Sequence, residues 1–368
     1  MRVALVHDYL VQYGGAERVL TEFANMFPNA PIYTLVYDAD ATGHVFEGRD
    51  VRTSFLQRIP NSRMHYKLFP LLMPLAIESF DLTEYDLVLS SSASFAKGVV
   101  MRGDGMHVCY CHTPMRYAWF DYKKIAGDSI YPSAVAKLIP FAMPYMRFWD
   151  RNSAQRPDYF ISNSSFIQKK IKKYYNRDSR VIYPPLNHGR FGIDTPKDYF
   201  LLIGRMVPYK RFDIAIKAFN ELKLPLKIIG EGTEYENLKK IAGPTVEFMG
   251  LVPESDLSKY YAQARALIFP QEEDFGITAL ESMASGRPVI AYEKGGALES
   301  IENRKTGILF KEQSVSSLVG AVKEFQEMDF DPRYIRDSVE KFDKLHFRRN
   351  VATFLEEKWR ESHKLILS

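Results

Sequence analysis

Short runs of apolar residues that end in turn or helix-capping residues recur through the first half of the chain. Such runs, without a polar side, are typical of buried strands in a parallel sheet that is covered on both faces. They lie at residues 2–6, 85–90, 107–111, 158–163 and 180–183. A helical pattern from about residue 16 to residue 27 follows the first run. Residues 61–79 mix apolar, aromatic and basic side chains with prolines, and this pattern predicts no single element.

The pattern becomes more regular after a proline-rich break at Tyr183-Pro184-Pro185-Leu186, which we interpret as an interdomain connection. Strands and helices then alternate, as they do in a parallel sheet with helices on both faces. The predicted strands are residues 199–203, 226–229, 245–249, 266–269 and 288–291. The predicted helices are residues 213–222, 234–241, 255–264 and one that begins near residue 277. A long amphipathic pattern at residues 346–365 predicts a terminal helix.

These patterns predict an α/β protein with two Rossmann-like domains, because 368 residues exceed the size of one typical core. The predicted domains are residues 1–185 and 186–345, with a terminal helix at about 346–368 that packs back near the first domain. We expect the domains to face each other across a cleft. Ligands of open α/β sheets bind beyond the carboxyl ends of strands, so the chemistry should lie on the turns that follow strands.

Composition narrows the class of protein. A hydrophobic share of 46% is typical of a globular chain, and a net charge of +4 is too mild to favour a nucleic-acid-binding protein. The cysteines, Cys109 and Cys111, are expected to be buried thiols in a reducing compartment. Polar His7 and Asp8 come too early for a secretory signal, and the apolar stretch at residues 68–77 is too short to span a membrane. We therefore expect a cytoplasmic protein whose membrane contact, if any, is peripheral at the inner face.

The strongest local signal is the segment from Glu273 to Glu281, which follows a predicted strand and leads into a helix. Free amides at the helix start, near Ile277 and Thr278, can hold a phosphate. The two carboxylates can accept hydrogen bonds from sugar hydroxyls. The alternative is an acidic residue near a helix start and an ordinary helix glutamate.

A second signal, Gly204-Arg205-Met206-Val207-Pro208-Tyr209-Lys210, also follows a predicted strand. The fixed fork of Arg205 and the point charge of Lys210 can converge on one anion. Together they could neutralise a diphosphate leaving group without a metal ion. A solvated basic loop is the alternative for this motif standing alone.

Two weaker signals come from the first half. The paired glycines of Gly14-Gly15-Ala16-Glu17 precede a helix and permit close approach to a phosphate or sugar, although such pairs also make plain turns. His112, at the end of an apolar strand, can hydrogen-bond a sugar hydroxyl or stabilise a developing charge, with a structural histidine as the alternative. The motif Gly230-Glu231-Gly232 is similarly weak by itself.

Three further features can be explained by structure alone. Asp38-Ala39-Asp40 matches the Asp-x-Asp pattern of metal-dependent sugar transfer, but we interpret both aspartates as turn residues and predict no metal site and no cofactor. The basic run at residues 169–175 is expected to be a solvated helix face, with membrane contact as the alternative. The region at residues 66–80, which includes Lys67, is either internal packing or a contact with a lipid-linked acceptor.

Taken together, these motifs resemble glycosyltransferase family 4, the retaining enzymes of the GT-B fold. The resemblance covers nearly the whole chain, with the glycine pair, Cys111-His112-Thr113-Pro114, Gly204-Arg205 with Lys210, the Gly-Glu-Gly motif and the paired glutamates in the family's order. The stretch Tyr110–Trp119, which ends in Arg116-Tyr117-Ala118-Trp119, resembles the mannosyltransferases of surface-polysaccharide assembly. One departure is Asp274, where many members carry a small residue.

The resemblance implies a role for each site residue. Arg205 and Lys210 would bind the donor diphosphate, Glu281 the ribose hydroxyls, and Glu273 the transferred sugar. The remaining groups would line the donor: backbone amides of Phe275, Gly276, Ile277 and Thr278 at phosphate or sugar, Gly14 and Gly15 near the diphosphate, His112 near the reacting carbon, and Val252 beside the base.

The implied function is transfer of a sugar, with mannose from GDP-mannose as the expected donor, to a glycan or polyprenyl-linked saccharide. No carboxylate is placed as a covalent nucleophile, so we expect front-face attack assisted by the leaving phosphate. Because the binding groups are divided between two domains, closure over the donor is expected. The alternatives are a sugar-nucleotide epimerase of the same fold and a non-catalytic nucleotide-sugar binding protein. A nicotinamide-dependent oxidoreductase ranks lower, because its glycine fingerprint is missing.

Overall fold

A computed structural model describes residues 1–120 and 133–366 of the chain. The chain divides into two compact units. The first comprises Met1–Pro185 together with Phe347–Ser368, and the second comprises Leu186–His346.

The described part of the first unit contains a seven-stranded sheet in the order β3-β2-β1-β4-β5-β6-β7. Every neighbouring pair is parallel. The strands are β1 (Val3–His7), β2 (Ile32–Thr34), β3 (Val51–Thr53), β4 (Leu87–Ser92), β5 (Met106–Cys111), β6 (Tyr159–Ser162) and β7 (Arg180–Val181). Ala4 and Val6 face one hydrophobic core and Leu5 faces another, because successive side chains of a strand point to opposite faces. Both faces are therefore covered, as the uninterrupted apolar runs predict.

Helices cover both faces of this sheet. The described α-helices of the unit are Gly15–Met26, Ser62–His65, Met73–Glu78, Arg116–Trp119, Ser133–Ser153 and Ser165–Tyr175. The terminal helix Lys344–Ile366 packs on the same sheet through Phe347, Val351 and Leu355, which share a core with Leu87 and Val108. This packing explains why the chain's last residues group with the first unit.

The second unit contains a six-stranded parallel sheet in the order β10-β9-β8-β11-β12-β13. Its strands are β8 (Phe200–Ile203), β9 (Leu226–Ile229), β10 (Val246–Gly250), β11 (Leu267–Phe269), β12 (Val289–Tyr292) and β13 (Gly307–Phe310). The α-helices are Phe212–Leu222, Tyr235–Ile241, Glu254–Gln263, Ile277–Ala284, Val315–Gln326 and Pro332–Ser338.

Three strands lie outside the sequence prediction. β2 and β3 are three residues each, too short for a periodic signal, and β13 follows an exposed turn. In the first unit, β1 and β4 extend past their predicted carboxyl ends, because β1 ends at His7 and β4 includes Ser91 and Ser92, which are polar but buried. Residues 61–79 form short helices, including Met73–Glu78. None of the helices formed by the described residues is long and apolar enough to cross a membrane.

Candidate functional site

In the second unit, the predicted site residues gather where the strand order reverses. β8 lies between β9 and β11: the chain runs from β8 through β9 to β10 on one side, and then crosses to β11 on the other side. Ligands of open α/β sheets bind at the carboxyl ends of strands beside such a reversal. Residues 204–210 follow β8, residues 230–232 follow β9, and residues 270–276 follow β11. Three of the sequence motifs therefore meet at one end of one sheet.

Lys210 and Glu273 form an ion pair between the loops after β8 and β11. The Lys210 Nζ lies 3.0 Å from the Glu273 Oε1, and the two side chains are only 15% and 17% exposed. Burial acts to lower the pKa of Lys210, but the charge of Glu273 and its hydrogen bond outweigh burial and raise this pKa. Lys210 is therefore a fixed positive charge. Exposed Arg205 is near enough to oppose that rise, so both predicted cations belong to one site.

A glycine pair outside the predicted motifs, Gly295 and Gly296, fixes the loop of Glu273. The amide of Gly296 donates to the Glu273 carbonyl at 2.8 Å. A Cβ at Gly295 would lie 2.3 Å from that carbonyl oxygen, and one at Gly296 would lie 2.3 Å from the Phe275 Cα. Two backbones therefore approach more closely than any side chain permits. A Gly-Gly pair in the loop that follows the predicted strand β12 is the signal that could have identified them.

Gly276 makes the turn from this loop into the helix Ile277–Ala284. Its φ is +95°, and a Cβ there would lie 2.9 Å from the Phe269 ring, so both conformation and space favour glycine. Phe275 is buried against Phe342, with ring centroids 5.6 Å apart, which anchors the turn. Amides in the first turn of a helix lack intrahelical acceptors, so those of Ile277 and Thr278 are available to an anion.

Glu281 lies on the same helix, with its carboxylate only 4% exposed. The hydroxyl of buried Tyr261 donates to the Glu281 Oε2 at 2.7 Å. This bond orients the carboxylate, a group that can accept more than one O–H donor. Tyr261 belongs to the helix Glu254–Gln263, and no sequence motif indicated it.

Backbone hydrogen bonds connect the loops after β8 and β9 to the last residues of the neighbouring strands, β9 and β10. The Gly204 amide donates to the Ile229 carbonyl at 3.0 Å, and the Gly230 amide donates to the Gly250 carbonyl at 2.9 Å. These bonds extend the sheet ladder beyond its strands. Val252 follows Gly250 and is half-buried. Its role beside the base stays a prediction.

The first unit presents a second set of predicted residues, at the carboxyl ends of β1, β4 and β5. Gly14 precedes the helix Gly15–Met26, and its amide donates to the Glu17 Oε2 at 2.8 Å. The buried His112 follows β5, and its Nε2 lies 2.8 Å from the Ser91 Oγ. Burial, with a smaller contribution from His7, lowers the pKa of His112 to about 3, so this ring is neutral at physiological pH.

The remaining sequence features fall outside these two sets. Asp38 lies in a turn, where its Oδ1 accepts from the Ala41 amide at 3.1 Å, and exposed Asp40 lies 3.2 Å from the His44 ring. The basic run is part of the helix Ser165–Tyr175, which buries Ile167, Ile171 and Tyr175. The side chain of Lys67 lies outside the described residues. Cys109 and Cys111 are buried and form no disulfide with each other.

Each unit thus brings its own predicted residues together. In the second unit, the loops after β8 and β11 and the helix that follows carry Gly204, Lys210, Glu273, Gly276 and Glu281. The first unit places the helix start at Gly15 and the His112 side chain at the carboxyl end of its sheet. That both sets hold the same ligand stays a prediction.

Comparisons with known proteins agree with this architecture. Residues 185–342 match the family described as "Glycosyl transferases group 1", and residues 13–190 match "Glycosyltransferase Family 4". The structure is similar to that of Anabaena Alr3699/HepE in complex with UDP, with a TM-score of 0.72 and 17% identity over 97% of this chain and 100% of that one. This likeness concerns the fold.

Two curated relatives match part of the chain. A D-inositol 3-phosphate glycosyltransferase from Nocardioides is 25% identical over 47% of this chain and 46% of its own length. A GDP-mannose-dependent phosphatidylinositol monomannoside mannosyltransferase from Mycobacterium tuberculosis is 32% identical over 33% of this chain and 36% of its own. The matches thus span less than half of these two relatives. Since the two family matches together run from residue 13 to residue 342 and both sheets have the expected topology, the chain belongs to glycosyltransferase family 4, with the GT-B fold.

Proposed function

We propose that this protein is a retaining glycosyltransferase that moves mannose from GDP-mannose to a glycan or polyprenyl-linked saccharide. The observation that carries this proposal is the Lys210–Glu273 pair beside Arg205, at the reversal point of the second sheet. Two cations there suit a diphosphate, and carboxylates on the same wall suit hydroxyl groups. Family membership supports the transfer of a sugar, and the mannosyltransferase relative supports the choice of donor.

Each group then has a role that its surroundings favour. Lys210 and Arg205 balance the charge that grows on the departing diphosphate, with help from the amides of Ile277 and Thr278. Glu281, oriented by Tyr261, accepts from the ribose hydroxyls. Glu273 accepts from hydroxyls of the transferred sugar, while its pairing with Lys210 couples sugar binding to charge neutralisation.

The proposed reaction exchanges one bond at the anomeric carbon for another. The bond from that carbon to the donor phosphate oxygen breaks, and a bond to the acceptor hydroxyl oxygen forms on the same face. The acceptor's proton passes to the leaving phosphate oxygen. Catalysis consists mainly of positioning and of electrostatic stabilisation of the leaving group.

A donor screen by thermal unfolding tests this function. GDP-mannose should raise the unfolding midpoint, because a ligand at a hundred times its Kd stabilises the folded state by about 2.7 kcal/mol. The other arms contain UDP-glucose, UDP-galactose and GDP-glucose at the same concentration. A shift with the UDP-sugars and none with GDP-mannose would overturn the proposed donor. Incubation with the donor alone should leave it unchanged, whereas an epimerised sugar nucleotide would contradict transfer.

The first unit carries an apolar patch, defined as Leu71, Leu72, Leu75, Phe141, Tyr145 and Phe148, all of them exposed. The last three recur at i, i+4 and i+7 on one face of the helix Ser133–Ser153. The opposite faces of this helix and of Met73–Glu78 pack in one core, and the Trp149 Nε1 donates to the Glu78 Oε1 at 2.8 Å. The exposed apolar side chains of these two helices therefore lie on elements that pack against each other.

Contact with an anionic membrane surface is the proposed role of this patch. Exposed aromatic and leucine side chains insert at the headgroup boundary. Exposed Arg151, three residues after Phe148 on the same helix, supplies positive charge. Such contact would bring the unit to a polyprenyl-linked acceptor. Clustered exposure of large apolar side chains commonly marks a protein or membrane interaction site.

Replacing both Phe141 and Phe148 by serine should weaken binding to vesicles of phosphatidylglycerol and phosphatidylcholine roughly tenfold or more, since each buried phenylalanine contributes about 1.5–3 kcal/mol. Co-sedimentation measures the bound fraction. The matched control is Leu345→Ser, which removes an exposed apolar side chain outside the patch. Equal sedimentation of the double variant and the control would contradict the proposed surface.

A further inference from the structure

Four buried polar side chains form a continuous row at the carboxyl end of the first sheet. The Glu17 Oε1 lies 3.6 Å from the His7 Nε2, and the His7 Nδ1 lies 3.1 Å from the Ser91 Oγ. The same Ser91 oxygen lies 2.8 Å from the His112 Nε2. All four residues are buried, so bulk water does not supply substitute partners. The positions of the shared protons therefore depend on one another.

The first group in the row is the side chain of Glu17, which as a carboxylate only accepts hydrogen bonds. Burial would raise the pKa of Glu17, but the bond and charge of His7 and the Gly14 amide together hold this pKa below its ordinary value. The side chain is therefore a carboxylate, with Oε2 already bonded to the Gly14 amide at 2.8 Å. The ring nitrogen that faces the other oxygen, Nε2 of His7, must carry a hydrogen, since two lone pairs would repel.

The Ser91 hydroxyl has a single proton, and this fixes where the protons lie in its hydrogen bonds with His7 and His112. When His7 carries only its Nε2 proton, its Nδ1 presents a lone pair, and the Ser91 hydroxyl donates to it. The Ser91 oxygen can then only accept from His112, so the His112 Nε2 must be protonated. His112 is neutral, which leaves a lone pair on its Nδ1. None of the described residues forms a hydrogen bond with the His112 Nδ1.

We propose that Glu17, His7 and Ser91 act as positioning residues that fix the tautomer of His112, so that its Nδ1 is presented to the ligand as a hydrogen-bond acceptor. A lone neutral histidine would sample both tautomers and offer an acceptor only part of the time. The ligand group that suits Nδ1 is therefore a donor, such as a sugar hydroxyl. This consequence for transfer depends on the proposed function, but the tautomer itself does not.

Glu17→Gln should reverse the direction of the hydrogen bonds that link His7, Ser91 and His112. The glutamine must turn its amide oxygen toward the Gly14 amide, so its NH₂ faces the His7 Nε2. His7 then carries its proton on Nδ1 and donates to Ser91, and Ser91 donates to the His112 Nε2. The His112 proton moves to Nδ1. One isosteric change at Glu17, three positions from His112 in the row, thus reverses the tautomer at its end.

Nitrogen-15 spectra of the free protein with labelled histidine, recorded at pH 8, test this directly because protonated and unprotonated ring nitrogens differ widely in chemical shift. The wild-type protein should show His112 with a protonated Nε2. Glu17→Gln should change the tautomer ratio roughly tenfold or more toward protonated Nδ1. Ser91→Ala should remove the coupling, so that adding Glu17→Gln to it changes nothing further.

The matched control is Ser90→Ala. Ser90 is the neighbouring residue of the same strand, and its Oγ bonds the Nε2 of a different buried histidine, His107, at 2.8 Å. This variant should alter the His107 signals and leave those of His112 unchanged. An unchanged His112 tautomer in folded Glu17→Gln would overturn the inference, as would an equal response to Ser90→Ala. Neither outcome involves the donor, so a failed donor assignment remains distinguishable.

Discussion

Replacing Lys210 by alanine should lower kcat/KM about a hundredfold or more, while the protein remains folded. A charge-assisted contact contributes about 1.5–3 kcal/mol, and each 1.36 kcal/mol corresponds to a factor of ten in rate. Lys210 has two such contacts in the proposed reaction, one with the leaving diphosphate and one with Glu273. Its removal also leaves the largely buried Glu273 carboxylate beside the donor phosphates without this partner, which adds repulsion.

Steady-state kinetics with GDP-mannose and a saturating acceptor measure this effect, with circular dichroism to confirm the fold. Lys227→Ala is the matched control, because Lys227 also forms a 3.0 Å pair with a glutamate, Glu247, on the same sheet. That pair is more exposed, so its loss should change kcat/KM less than twofold. If Lys210→Ala retained the wild-type kcat/KM, the diphosphate role of this lysine would be wrong.

Gly230→Ala should destabilise the second unit by about 3–5 kcal/mol and abolish donor binding. The φ of Gly230 is +131°, a conformation that side chains rarely adopt, and a Cβ there would lie 2.1 Å from the Gly204 carbonyl oxygen. Backbone strain and steric overlap each cost about 1–3 kcal/mol. The overlap is with backbone of the loop that leads to Lys210, so it cannot be relieved by a rotamer change.

Urea denaturation and donor-induced thermal shift measure the two effects. Gly320→Ala is the control: this glycine lies in the helix Val315–Gln326, and a Cβ there meets nothing within 4 Å. Alanine at that position should stabilise by about 0.5–1 kcal/mol, because it loses less conformational entropy than glycine. Equal unfolding midpoints for Gly230→Ala and wild type would contradict the close approach of the two loops.

Periodicity alone predicted most of the second sheet, because each apolar run there is bounded by turn residues. β9, for example, is observed at its predicted bounds, Leu226–Ile229. Short strands escaped prediction for a physical reason. Ile32–Thr34 is held by pairing with β1 and β3, and three residues contain too little alternation to show which structure they form.

The candidate site was predicted in part. Motifs after strands identified Lys210 and Glu273, since a parallel sheet places the carboxyl ends of its strands at one edge. Their contact within 3.0 Å follows from the strand order, which periodicity does not reveal. Tyr261 and Gly296 escaped because their importance depends on a neighbour that is distant in sequence.

By itself, the sequence determined the α/β class, the order of strands and helices in the second half, and which residue types could bind a nucleotide sugar. These features depend on local periodicity and on side-chain chemistry, which are readable along the chain. Only the tertiary structure decided which polar groups share a proton or a charge. Ser91 looks like any serine in a strand, and it becomes the link between His7 and His112 only because β1, β4 and β5 lie side by side. Hydrogen bonds act over about 3 Å, so contacts across strands, rather than spacing in sequence, determine them.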